Sequence, residues 1–553
     1  MNISLVFGFI EEFQSSQNVK SFIVKILDNA LRKYSLQGRF YGDEEEFFLQ
    51  VCGEESVVLE FSDYLSKVIP LSLQWSFKEM RVLEDNQSIN KPPLETSYNI
   101  PSLYLSALEL QAISSRKSEN FCNLWGDFIN FAQTPLNFFN NETEMLINSK
   151  VLLEDSLGHL AQALKKGERV FLKTIYGKKE LVLLDEKNPK KIEGDYWFMP
   201  FCLNNAQIIF KASKEELQAL ATLEKPLIRL KPKSIFTEFF SQSFVTCVLP
   251  YEPLLVLLTK FLEEYSGLYL LPLKEEKIRL GLCYFIVQES SPVLISVGKN
   301  SLILQHRFEA AKDISYATMK EFEKALLREK LEKVNLLYLG RGQTRFMLYF
   351  NQSFKEPLEF AFESNIALRI DELKVFNKTT QSLLKNFTKE NQDLIRELET
   401  YSKESKTSFN LLELIGMCGI LLDFKVDSMD LMLLAYEVLE CASNFVGQKG
   451  PRIDFKLERN EEGKVYLDTL KTLRSVMSFK LAGVEKELLC FGIIDSFAEF
   501  FANFSRDMEE SYNTKGIIVC GEMFLNKQFL DQFIHYLPKN SEIFSTPIID
   551  FLL

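Results

Sequence analysis

A chain of 553 residues and 64.1 kDa exceeds what one hydrophobic core supports and should divide into several domains of about 100–200 residues each. With 46% hydrophobic and 25% charged residues, its composition is that of an ordinary folded protein and excludes large-scale disorder. A net charge of −12 and a pI near 5.2 argue against nucleic acid as a partner, because phosphate binding needs a basic surface that displaces counterions.

Residues 1–85 read as β, helix, β, β, helix, β. An apolar strand over 5–10 precedes a helix over 19–34, whose Phe22, Ile23, Ile26, Leu27 and Ala30 share one face. Gly38 is expected to end that helix. A strand over 47–52, a second amphipathic helix over 57–68 and a strand over 74–83 complete a split βαβ, ferredoxin-like layout. The stretch 85–101, with its Asn-Gln-Ser and Lys-Pro-Pro, reads as a linker, and 102–150 is weakly patterned.

From about 153 to 280 strands and helices alternate, as in an α/β domain. Within it VTCVLPYEPLLVLL (245–258) is a short apolar strand, a Pro-Tyr-x-Pro turn that cannot continue it, and the start of an apolar helix. A further α/β pattern begins at Pro292, with strands near Val293 and Leu336 and a helical region over 371–445. It closes with a helix over 493–510, a strand over 516–520, a helix near 527–537 and a strand over 543–547.

Nine cysteines are scattered without a Cys-x-x-Cys pair, so neither a disulfide framework nor a thiolate zinc site is written here. The three histidines, His159, His306 and His535, are too dispersed for a His-x-x-x-His metal site. No charged-then-apolar leader follows Met1, and apolar runs such as 411–424 are shorter than the ~20 residues of a spanning helix. The expectation is a cytoplasmic protein with no membrane insertion.

Several stretches, in order, resemble the HypF family of hydrogenase maturation carbamoyltransferases across nearly the whole chain. VLPYEPLL (248–255) stands where that family has Met-Leu-Pro-Tyr-Thr-Pro-Leu-His. KEEL from Lys214, KPLIRL (225–230) and GERVFLK (167–173) are similar to neighbouring strands and a helix of its YrdC-like domain. PVLISVGKN (292–300) with Gln305-His306, and IIVCGEMFLN (517–526), are similar to the first strands and the late phosphate turn of its TsaD-like ATPase domain. The resemblance implies an acylphosphatase-like domain (1–85), a linker with a degenerate zinc-finger-like segment (86–150), a YrdC-like domain (151–285) and a TsaD-like, actin-type domain (286–553). The fold class is thus α/β and α+β, multidomain.

The family's activity, as the resemblance implies it, hydrolyses carbamoyl phosphate, adenylates carbamate with ATP and passes the carbamoyl group to a partner's cysteine. Each step has lost residues here. In the acylphosphatase-like loop QSSQNVK (14–20) there is no glycine, Lys20 replaces the arginine that forks onto phosphate, and Gly42 replaces a water-orienting asparagine. FCNLWGDF (121–128) resembles a zinc knuckle in which Trp125 has replaced the partner of Cys122, and TEM (143–145) is similar to a later Thr-x-Met. Lys173 is kept, but the Gly-x-Gly-Gly after it is TIYG (174–177). The basic phosphate clamp is DEKNPKK (185–191), which reads as a solvated turn.

In the TsaD-like domain the metal-binding histidines are missing after Arg345 and at Phe497-Ala498. Glu522 stands at the second glycine of the phosphate turn, where its charge repels phosphate. Positions of the family's ligand sites that keep a suitable residue are Lys20, Lys173, Lys299, Asn300, Gly521, Asn526 and Asp550. The expectation is a degenerate HypF paralogue similar to HydE-type hydrogenase accessory proteins. It would be a non-catalytic scaffold with no cofactor or metal, and its partner would be a hydrogenase subunit or another maturation protein. The alternative is a divergent carbamoyl- or acyl-phosphate and nucleotide-binding transferase, which would use ATP and magnesium.

Overall fold

The computed structural model describes residues 2–11, 17–43, 45–83, 89–94, 136–140, 143–187, 189–273, 280–284, 292–299, 302–308, 314–401, 403–425, 430–461, 463, 465–546 and 548–549. The chain divides into two units, Met1–Ser241 with Val245–Val293, and Gln242–Phe244 with Leu294–Leu553.

The first unit opens with a four-stranded antiparallel sheet of β1 (Asn2–Glu11), β2 (Gln37–Gly42), β3 (Glu46–Glu54) and β4 (Trp75–Val82), in the order β2-β3-β1-β4. Helices α1 (Gln17–Lys33) and α2 (Glu55–Val68) connect its strands. This is the ferredoxin-like layout that the periodicity predicts, and all five residues of the predicted α1 face are buried. Gly38 does not end α1. The chain turns at Ser35 (φ +53), where Leu36 N–H donates to Leu31 C=O at 3.0 Å, and Gly38 lies inside β2 beneath the Leu31 side chain. The described part of the expected linker is also docked. Gly42 N–H donates to Pro92 C=O at 2.9 Å and Leu94 N–H to Phe40 C=O at 2.9 Å, while Lys91 pairs with Asp43 and Glu46.

The rest of this unit is a mixed sheet in the order β10-β11-β9-β12-β8-β7-β13-β5-β6. Its strands are β5 (Leu136–Asn140), β6 (Thr143–Ile147), β7 (Val170–Thr174), β8 (Gly177–Leu183), β9 (Trp197–Pro200), β10 (Leu227–Leu230), β11 (Val245–Cys247), β12 (Gly267–Pro272) and β13 (Leu280–Tyr284). Its helices are α3 (Lys150–Lys165), α4 (Leu203–Ile209), α5 (Lys214–Leu220) and α6 (Pro253–Lys260). Ser213 and Glu216 form a reciprocal capping box at α5, and Pro253 occupies the first turn of α6, where its missing N–H costs nothing. The β5–β6 hairpin, which looked weakly patterned in sequence, pairs with β13 and continues this sheet.

The second unit holds the hairpin β14 (Leu294–Val297) and β15 (Ile303–Phe308), with β25 (Ile548–Ile549) parallel to β15. A second sheet runs β18-β17-β16-β23-β24, from β16 (Val334–Leu339), β17 (Thr344–Phe350), β18 (Ser353–Leu358), β23 (Gly516–Cys520) and β24 (Glu542–Ser545), and between them in sequence β19 (Phe362–Glu363) pairs with β20 (Thr407–Ser408) and β21 (Leu457–Arg459) with β22 (Val465–Leu467). β16, β23 and β24 are parallel, and every residue of β16 and β23 is buried, as a strand covered on both faces requires.

Around the sheet pack α7 (Ile314–Arg328), α8 (Ile366–Phe376), α9 (Lys378–Glu390), α10 (Gln392–Glu399), α11 (Leu411–Leu421), α12 (Leu431–Asn444), α13 (Thr469–Leu481), α14 (Lys486–Tyr512) and α15 (Lys527–Tyr536). α14 has 27 residues and is long and apolar enough by length and composition to cross a membrane, which a scan for uninterrupted apolar runs overlooks. Most of its apolar stretch is buried inside the protein. Phe497 packs on Phe501 and Phe529 at ring separations of 5.1 and 5.8 Å, the setting of a core helix. Each such ring contributes about 2–3 kcal/mol by burial, which places much of the chain's phenylalanine in packing.

Candidate functional site

In open α/β sheets ligands gather beyond the carboxyl ends of the strands, and in the second unit that edge carries the residues with the strongest family resemblance. Gly521 leaves β23 with φ +107, and a Cβ there would lie 2.2 Å from the Leu339 carbonyl oxygen, so this position excludes a side chain. A single 3₁₀ turn, Glu522–Leu525, follows, and Asn526 caps α15 by accepting from Phe529 N–H at 2.9 Å. The structure thus places Gly521 and Asn526 on one turn, each with a local backbone task.

Glu522, between them, is buried. Its Oε1 accepts from the Tyr436 hydroxyl, and its Oε2 stands 3.5 Å from Arg341 Nε. Arg341 Nε donates to the same Tyr436 oxygen at 2.9 Å, and its guanidinium lies 5.2 Å from the centre of the Tyr436 ring. Burial and the adjoining Glu522 carboxylate push the Tyr436 hydroxyl up, so it keeps its proton and donates. Asn410 Nδ2 holds the Arg341 carbonyl at 2.6 Å. The turn that would wrap a phosphate contains a carboxylate already met by a cation and a phenol.

The β14–β15 hairpin is closed in a related way. A Cβ on Gly298 would meet Ile534 at 2.5 Å and Leu530 at 3.3 Å, so α15 lies directly against the turn. Lys299 N–H donates to Asp531 Oδ1 at 3.1 Å, and Lys527 Nζ donates to Val297 C=O at 2.8 Å. A backbone N–H of the kind that receives phosphate oxygens in such turns therefore has an internal carboxylate as acceptor. His306 is buried and hydrogen-bonds Ser296 Oγ at 2.9 Å; burial lowers its pKa to about 3, so it is a neutral core residue. Asn300 and Asp550 lie outside the described residues.

In the first unit Lys173 stands half-buried on β7, opposite Lys178 on β8 and Cys283 on β13. The turn after it, where the family has glycines, is filled. Tyr176 packs its ring 4.6 Å from Tyr251 and 6.0 Å from Trp197, and Ile175 N–H donates to Glu252 Oε2 at 3.0 Å. Glu252 is wholly buried, and burial pushes its carboxyl up to about 8, so it is largely protonated at neutral pH. Lys179 Nζ lies 3.9 Å over Trp197, with its pKa lowered by burial to about 8. Sequence gave no weight to Glu252, Tyr176 or Lys179, whose meaning depends on burial. Lys190 and Lys191 are exposed, as a solvated turn would have them.

Lys20, on α1, donates its ammonium to the Asp43 carbonyl and lies 5.3 Å over Trp75 and 5.7 Å over Phe47. It is a cation packed on its own domain. Residues 12–16 of the loop before it, and Cys122 and Trp125 of the knuckle-like segment, lie outside the described residues. Among the described residues no three of His, Cys, Asp and Glu gather as a metal site needs.

No family model matches the chain. The curated Protein HydE of Wolinella succinogenes is 31% identical over 536 residues, covering 94% of this chain and 95% of that protein. Two solved structures match over 99% of this chain and 96% of each of theirs: full-length HypF in the phosphate- and nucleotide-bound form, with a TM-score of 0.64 and 13% identity, and T. kodakarensis HypF, with 0.66 and 10%. At such identities the likeness shows the fold, a mixed α/β multidomain architecture consistent with acylphosphatase-like, YrdC-like and TsaD-like domains. By its sequence identity over nearly its whole length, the chain belongs to the family of Protein HydE, built on the HypF fold.

Proposed function

We propose that the protein is a non-catalytic member of the HypF-fold group that serves NiFe-hydrogenase maturation as a cytoplasmic scaffold or assembly factor. Its partner would be a hydrogenase subunit or another maturation protein, and it would need no nucleotide, magnesium or other metal. The observation that carries this reading is Glu522, a buried carboxylate in the turn where the family holds phosphate, with the Tyr436 hydroxyl donating to one of its oxygens and Arg341 beside the other. Asp531 on Lys299 N–H and the aromatic filling beside Lys173 support it in the same sense. A HypF-like chain that kept its architecture while closing its phosphate turns would have kept its surfaces for binding proteins.

The test is ATP cleavage by the purified protein in the presence of carbamoyl phosphate, with a HypF enzyme as positive control, beside capture of hydrogenase subunits on the immobilised protein. The expected result is no turnover above the blank and retention of a hydrogenase or maturation protein. Carbamoyl-phosphate-dependent turnover that falls when Lys173 or Lys299 is replaced by alanine would instead establish the divergent transferase.

A further inference from the structure

Between α12 and α13 the chain runs past α14 over residues 452–456 and then enters β21. Its backbone groups alternate in direction as a strand's do. Asp454 C=O accepts from Thr472 Oγ1 at 2.7 Å and Lys456 C=O from Asp468 N–H at 2.9 Å, while Ile453 N–H donates to Ser496 Oγ on α14 at 2.9 Å. By this alternation Phe455 N–H and C=O point toward α14 as Ile453 N–H does, and among the described residues neither has a hydrogen-bond partner. Between the segment and α14 lies an open cleft of about 440 Å³, whose α14 side is one helical face of Ser496, Glu499, Phe500, Asn503, Phe504 and Asp507. The Phe500 and Phe504 rings are parallel at 6.2 Å, and the Phe455 ring stands 6.2 Å from that of Phe500.

We propose that this cleft docks an extended peptide segment of a partner protein, which pairs its main chain with Phe455 and places an arginine side chain against Glu499, Asp507 and the phenylalanine rings. The main chain follows from the unpaired Phe455 groups, which offer a second extended chain the hydrogen bonds of a strand edge. The basic side chain follows from the charges. Three carboxylates line the cleft, Asp454, Glu499 and Asp507, against the two cations Arg452 and Lys456. Arg452 pairs with Glu499 at 2.9 Å and Lys456 with Asp454 at 3.3 Å, yet these cations are 78% and 61% exposed and their carboxylates only 23% and 31%. Such exposed pairs hold weakly, so the cations can turn to water while the carboxylates stay in the wall. Asp507 pairs with the neighbouring Arg506 at 2.9 Å. A guanidinium suits the place better than an ammonium, because it forks onto a carboxylate and stacks on an aromatic ring at once. The three carboxylates are spread along the cleft and do not converge as a metal site needs.

This gives the partner-binding role proposed above a surface and a partner chemistry, and it rests on that reading only for the source of the peptide. The closed phosphate turns are tested separately by ATP turnover.

The experiment uses the full-length protein and the blocked pentapeptides acetyl-Val-Ala-X-Ala-Val-amide, with X arginine, glutamine or glutamate and a photo-reactive diazirine on the first residue. Peptide mass spectrometry maps where each attaches. The arginine peptide should label residues 452–457 or 496–507 about fivefold or more above the glutamate peptide, with glutamine between them. N-methylation of the central backbone amides should reduce that labelling, and the double variant Glu499→Gln, Asp507→Asn should lose the preference for arginine. Labelling by the arginine peptide that misses the cleft, or equal labelling of the cleft by the arginine and glutamate peptides in the wild-type protein, would overturn the proposal whether or not the variant folds.

Discussion

Arg341 Nε stands 3.5 Å from a carboxylate oxygen of Glu522, and the Tyr436 hydroxyl links the two by donating to the carboxylate and accepting from the guanidinium. A buried carboxylate without partners would cost several kcal/mol. Here the cation is about one-third exposed and the carboxylate almost fully buried, so the group that depends on the contact is Glu522.

Glu522→Gln keeps the shape of the turn and one hydrogen bond but removes the charge opposite Arg341. It should lower stability by about 1–3 kcal/mol, and Glu522→Ala by about 3–5 kcal/mol, since Tyr436 would then be left buried without its acceptor. Urea unfolding at pH 7 measures both. Neither variant should gain ATP binding, because Lys299 N–H still faces Asp531. An unchanged urea midpoint for Glu522→Ala would mean that the three side chains are not coupled.

Glu252 gives a pH dependence whose sign is opposite to that of a carboxylate paired with a cation. Its pKa is raised from 4.5 to about 8 in the folded protein, so between those values the folded state holds a proton that the unfolded state has lost. The stability it contributes is full below pH 4.5 and falls as pH rises through 8. Glu252→Gln, a neutral stand-in that still accepts from Ile175 N–H, should match the wild type near pH 4.5. It should exceed the wild type by about 2–4 kcal/mol at pH 8. Unfolding curves of the two proteins that stay parallel across this range would contradict the burial of Glu252.

His306 acts in the other pH direction. Its pKa falls from 6.5 to about 3 on folding, so between those values the unfolded chain binds the extra proton. Stability held above pH 6.5 should be lost as pH falls, at up to about 1.4 kcal/mol per pH unit. In His306→Gln this acid slope should shrink by about one proton's worth, read from urea midpoints between pH 4 and 6.

Much of the frame was legible because it is local. Gly516–Cys520 is an uninterrupted apolar run and forms β23 over the predicted residues, and VTCVLPYEPLLVLL folds as strand, turn and helix because its prolines allow little else. What sequence hid was convergence over distance. Arg341 meets Tyr436 across 95 residues, and Tyr436 meets Glu522 across 86, so only folding reveals that Glu522 has partners. Glu252 looked like the lone charge of an apolar stretch, and only folding brings it, fully buried, to Ile175 N–H, 77 residues away. The β5–β6 hairpin escaped because β6 exposes four of its five residues and so shows no apolar alternation.

Glu224 ties the end of α2's connecting loop to the strand–helix layer beside it within the first unit. Its buried carboxylate accepts from Leu73 N–H at 3.0 Å, from Gln74 N–H at 3.2 Å and from the Ser72 hydroxyl, next to Leu223 N–H donating to Leu71 C=O at 2.7 Å. Glu224→Ala removes the carboxylate acceptor from Leu73 N–H and the Ser72 hydroxyl and leaves Gln74 N–H with Ser72 Oγ, and should cost about 2–4 kcal/mol. Limited proteolysis should then cut first near Leu71–Gln74. Cleavage confined to other loops, with wild-type stability, would show that this anchor is dispensable.

The central claim is that internal carboxylates have closed the phosphate turns, and calorimetric titration of the wild-type protein with ATP and magnesium tests it most directly. The account predicts no saturable heat. Saturable binding that weakens when Lys299 is replaced by alanine would contradict it, and would mark the Glu522 turn as a rebuilt nucleotide site.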